Sequence, residues 1–196
     1  MNMHNLYHHP ILSLFIMIFM GMFGNQTLKN EDLVTSFIEA RNNYDVEKVN
    51  TLIHDHYYEL FMDGSKEIES KEQLMDIILW GKELDSHISL LDISVNKDTI
   101  ITIEENTNFL DVALQRKPRK FKITYSFLNG KIKNQSIDTL SGHQSIIKFN
   151  AVKYQEFIAY CQQHNLTYHG KSLNKEFGVQ LRKVLEQYKS VNQNKP

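Results

Sequence analysis

The chain has 196 residues, enough for one domain with tails and too few for two. With 41% hydrophobic and 23% charged residues its composition is globular, which excludes a disordered chain and a multi-span membrane protein. A formal net charge of −1 gives no broad positive field for non-specific nucleic-acid binding, and the single cysteine, Cys161, cannot close an intrachain disulfide. Residues Ile11 to Phe23 form an unbroken uncharged run, short for a bilayer span and of signal-peptide length. Residues 1–24 therefore read as a signal peptide or N-terminal membrane anchor, which predicts a periplasmic, secreted or membrane-tethered protein.

Asn30, followed by the acidic Glu31 and Asp32, reads as the N-cap of a first helix with Leu33, Val34, Phe37, Ile38 and Arg41 on one stripe. Asn42 and Asn43 break it, and Asp45 caps a short second helix carrying Val46, Val49, Leu52 and Ile53. Tyr57 to Met62 reads as a strand, Asp63-Gly64 as a turn and Ser65 to Glu69 as a short returning strand. Ser70 and Gln73 have capping-box spacing ahead of a third helix with Leu74, Ile77, Ile78 and Gly81 on its buried stripe. From His87 the period becomes that of strands: Ile88 to Val95, Thr99 to about Ala113, Phe121 to Leu128 and Lys131 to Leu140. Asn129-Gly130 is a strong hairpin signal, because both residues tolerate the positive φ of a type I′ turn. An antiparallel meander is expected. Two further helices follow, with Tyr154, Phe157, Ile158 and Cys161 on one stripe and Phe177, Leu181, Val184, Leu185 and Tyr188 on the other.

The order helix, helix, hairpin, capped helix and long meander, with the aromatic strand Tyr57 to Phe61 and the segment ITYSFLNGKIKN, resembles the nuclear-transport-factor-2-like superfamily, in particular its SnoaL-like branch. That resemblance implies an α+β fold in which a cone-like, curved antiparallel sheet wraps around helices. It covers residues 30–140 and leaves 141–196 as a C-terminal helical extension. It also implies an apolar pocket, in a superfamily that includes isomerases, dehydratases, cyclases and non-catalytic binding domains.

Catalysis in such a pocket needs a carboxylate whose pKa is raised by burial. Ketosteroid-isomerase-like members place an acid near the positions of Glu59 and Asp63; Asp63 belongs to an ordinary Asp-Gly turn, which leaves Glu59 as the catalytic candidate. Alternation puts Tyr57, Glu59 and Phe61 on one face, with Trp80 and Tyr125 able to approach the same cavity, and these five are the expected binding residues. His54 and His56 flank Asp55 but have no third ligand in view, so neither a metal nor another cofactor is expected. Arg116, Lys117, Arg119 and Lys120 around Pro118 read as a solvated hairpin loop, and no nucleic-acid partner is expected. The expected partner is a small apolar ligand; a homodimer is compatible with this reading, and membrane contact is confined to the N-terminal segment. Two functions remain open: an exported, non-catalytic binding domain, which is preferred, and a carboxylate-dependent isomerase, dehydratase or cyclase.

Overall fold

In a computed structural model the described residues are 29–168 and 172–193. The apolar run Ile11 to Phe23 lies outside them, and no described helix is long and apolar enough to cross a membrane. Helix α1 covers 29–42, so Asn30, expected as its cap, is already helical and buried. Asp45 caps α2 (Val46–Leu52) by accepting from the Lys48 amide, and Ile53 opens β1 (Ile53–Phe61) rather than closing the helix. After the Asp63-Gly64 turn comes β2 (Lys66–Ile68), then α3 (Lys71–Glu83), whose first turn is held by Ser70 Oγ accepting from the Gln73 amide at 3.3 Å. The Gln73 side chain accepts from Glu69 N, one residue before the cap, at 2.8 Å.

Strands β3 (His87–Asn96), β4 (Thr99–Thr107), β5 (Arg119–Leu128) and β6 (Lys131–Thr139) form the antiparallel meander. At the Asn129-Gly130 turn φ is 53° and 72°, as the two-residue hairpin requires. The full sheet runs β2-β1-β6-β5-β4-β3 and is mixed, because β1 lies parallel to β6. The expected antiparallel pairing holds for every neighbouring pair but β1–β6, which strand periodicity does not reveal because it carries no information on which distant strand becomes the neighbour.

The segment expected to continue a strand to Ala113 instead turns into helix α4 (Phe109–Leu114), started by a reciprocal capping box between Asn108 and Asp111. The basic segment after it is also not a free loop. Arg116 pairs with the buried Asp111 at 3.2 Å, and the buried Asn150 accepts from Lys117 N at 2.8 Å and donates to Lys117 O at 2.9 Å. Asn150 belongs to α5 (His143–Gln163), and α6 (Lys175–Gln193) is the last described helix.

Two apolar clusters result. One fills the concave side of the sheet beneath α1 and α3, with Phe37, Tyr57, Leu74, Ile100, Tyr125 and Ile132 almost fully buried. The other joins Leu84, Ala113 and Leu114 to Phe157, Cys161, Leu181, Val184, Leu185 and Tyr188, so the C-terminal helices pack on α3 and α4. Gly178 permits the closest approach: a Cβ there would stand 2.9 Å from Glu83 Cβ and 3.1 Å from the Trp80 carbonyl oxygen. At the far edge, the Asn42 side chain donates to Ile88 O and accepts from Ile88 N, both at 2.8 Å, while the Tyr44 hydroxyl donates to Ser86 O at 3.0 Å.

Candidate functional site

A cavity of about 400 Å³ opens between α1, α3, α4 and the concave face of the sheet. Alternation along each strand selects what reaches it. From β1 come Glu59 and Phe61, from β4 Glu104 and Asn106, from β5 Arg119, Phe121 and Ile123, and from β6 Gln135 and Ile137. Arg41 enters from the end of α1, and Trp80 from α3.

The polar part of the wall is built around two buried carboxylates. Glu59 Oε1 accepts from the Tyr57 hydroxyl at 2.6 Å and from Gln135 Nε2 at 3.4 Å, and lies 3.7 Å from Arg41 Nη1. Gln135 Nε2 also donates to the Tyr57 oxygen at 2.6 Å, which closes a small ring of bonds. Glu104 Oε1 accepts from the Thr102 and Tyr125 hydroxyls, each at 2.6 Å. Among the described residues every hydrogen bond and ion pair given to either carboxylate falls on its Oε1. Both residues line the cavity.

Burial raises the Glu59 pKa; the Arg41 charge and the Tyr57 hydrogen bond offset it in part, and the Glu104 charge adds to it. Arg41 is held above its ordinary value although burial works against it, because Glu59 and the groups around it favour the cation. The two directions are consistent with one guanidinium placed among two carboxylates: the cation is amply compensated, Glu59 only in part. Tyr57 and Tyr125 are pushed well above the usual phenol value, first by burial and then by Glu59 and Glu104 respectively, so both hydroxyls remain donors.

Of the five expected binding residues, Glu59, Phe61 and Trp80 line the cavity. Tyr57 and Tyr125 do not; they lie beneath its wall and hold the carboxylates in place. Asp63 is an exposed turn residue accepting from Ser65 N at 2.9 Å. The rings of His54 and His56 are 5.7 Å apart, and no group of three metal-ligating side chains occurs among the described residues. Sequence reasoning missed Glu104, Gln135, Arg116 and Arg119 as cavity residues. The alternation Ile100, Thr102, Glu104, Asn106 was a usable signal, masked by the adjacent Glu105.

No family model and no curated protein matches the chain. Among solved structures it is similar to a cystatin-fold protein from Novosphingobium aromaticivorans (TM-score 0.48, 20% identity, 55% of this chain and 96% of that one). It is also similar to a nuclear-transport-factor-2-like protein of unknown function from Cytophaga hutchinsonii (TM-score 0.44, 14% identity, 55% of this chain and 87% of that one). A third likeness is to an LEH-like epoxide hydrolase from M. tuberculosis (TM-score 0.49, 11% identity, 66% of this chain and 98% of that one). Two opening helices, the β1–β2 hairpin, the capped α3 and a meander that returns β6 alongside β1 make up the α+β fold expected from the sequence.

Proposed function

We propose that the cavity binds a small molecule with an apolar body and that Glu59 moves a proton to and from it, as an isomerase, dehydratase or cyclase requires. The observation that carries this reading is the tethering of Glu59. One carboxylate oxygen is fixed by Tyr57, Gln135 and Arg41, and the residue itself lines the cavity. A carboxylate raised by burial has more driving force to accept a proton near neutral pH, and its fixed oxygen holds the group in place. Glu104, held in the same manner, is placed to accept a second hydrogen bond from the ligand.

Deuterium wash-in is a direct test, because it reads proton transfer without knowledge of the substrate. Enolisable cyclic ketones in deuterated buffer should exchange α-protons faster with the wild-type protein than in buffer alone, and Glu59→Gln should lower that rate by about 100-fold or more. Binding of the same ketones should change only a few-fold. The ion pair with Arg41 supports a second reading, in which Glu59 is a fixed polar anchor in a binding pocket. Binding without exchange in any ketone, unchanged by Glu59→Gln, would establish that alternative and overturn the proton-transfer reading.

A further inference from the structure

Native proteins pair nearly all of their buried polar groups, so an unpaired one asks for an explanation. Among the described residues seven buried side-chain atoms have no hydrogen-bond partner. Five of these, Trp80 Nε1, Ser86 Oγ, Asn106 Oδ1, Arg116 Nε and Arg119 Nε, belong to residues that line the one cavity. They also come from one end of the sheet. Ser86 immediately precedes β3, whose Ile88 lies opposite Asn106 in β4, and Asn106 in turn lies opposite Arg119 in β5.

Two guanidinium groups stand at this end of the cavity, those of Arg116 and Arg119. Asp111 stands 3.2 Å from Arg116 Nε without hydrogen-bond alignment, and its charge is felt by Arg119 too. One carboxylate thus serves two guanidinium groups. Trp80 Nε1 and Arg119 Nε are N–H donors with no partner, the Ser86 hydroxyl can donate as well, and the Asn106 amide can present either end. Donors without partners, beside two guanidinium groups and next to apolar wall, match a small oxyanion attached to an apolar body.

We propose that this end of the cavity, formed by Arg116, Arg119, Trp80 and Ser86, is a subsite for the anionic head of the ligand, and that the ligand is an amphipathic carboxylate. This rests on the pocket reading given above and specifies its substrate class. The head sits against the guanidinium groups, and the apolar remainder extends past Phe121 and Ile123 toward Glu59.

The test compares octanoate with octanol, equal in chain length and different in charge, by titration calorimetry near neutral pH. The wild-type protein should bind octanoate at least about tenfold more tightly than octanol. Arg119→Gln should reduce that preference to about threefold or less, Arg119→Lys should retain most of it, and Trp80→Phe should weaken octanoate alone. Equal affinity for both probes in the wild-type protein would overturn the anion subsite and leave the pocket reading standing. Binding of neither probe would overturn both. A preference insensitive to Arg119→Gln and Trp80→Phe, with both variants folded, would place the anion elsewhere and also refute the proposal.

Discussion

Glu59 is buried with a partner that it shares, and that arrangement has a pH signature. Its pKa in the folded protein lies above the ordinary carboxylate value, so the folded state holds its proton at pH values where the unfolded chain has released it. The sign follows: this contribution to stability is full below the ordinary carboxylate pKa and is lost as pH rises through the raised one. Urea midpoints measured from acid to neutral pH should carry a falling component that disappears in Glu59→Gln, since the amide cannot titrate. The same slope in both proteins would assign the decline to other groups. At this scale the sequence was partly legible. The two-residue period put Glu59 inward, but the neighbouring Glu104 and Glu105 offered two carboxylates in successive positions, and only the pairing with β5 decides which of them turns in.

The elements that shape the cavity meet at one glycine. Gly178 in α6 brings that helix so near α3 that any side chain would press on Glu83 and on the backbone of Trp80, itself a cavity residue. Gly178→Leu should therefore destabilise the protein by about 1–3 kcal/mol, beyond any gain in helix propensity, because backbone on the facing helix cannot move aside as a side-chain end can. Thermal unfolding beside an exposed control such as Gln180→Ala would measure it; equal stability of the two variants would show that α6 docks more loosely than this spacing implies. Element boundaries were readable wherever caps or turns are local, as at Asp45, Ser70 and Asn129-Gly130. Helix α4 was missed although Asn108 and Asp111 have capping spacing, because six residues are too few for a helical period to stand out. Arg116 reads in the sequence as a solvated loop residue because neither Asp111 nor the covering α5 can be placed from local sequence.

For the molecule as a whole, the apolar segment Ile11 to Phe23 still predicts export or membrane attachment. Fractionation of a C-terminally tagged chain should find it outside the cytoplasm or with membranes, and recovery of cytosolic protein retaining Met1 would refute this. The cone and its meander follow from patterns along the chain, whereas the parallel β1–β6 pairing joins residues 76 apart, Glu59 and Gln135, and leaves no local trace. The latch between the end of α1 and β3 bears on how copies of the chain behave toward one another. An exposed edge strand offers its outward N–H and C=O groups to any extended segment that arrives. Here Tyr44 occupies Ser86 O, Asn42 occupies both groups of Ile88, and the ladder is interrupted between Leu90 and Asp92. The start of that edge is thus already capped by the protein's own side chains, so an arriving strand finds no free ladder groups at Ile88.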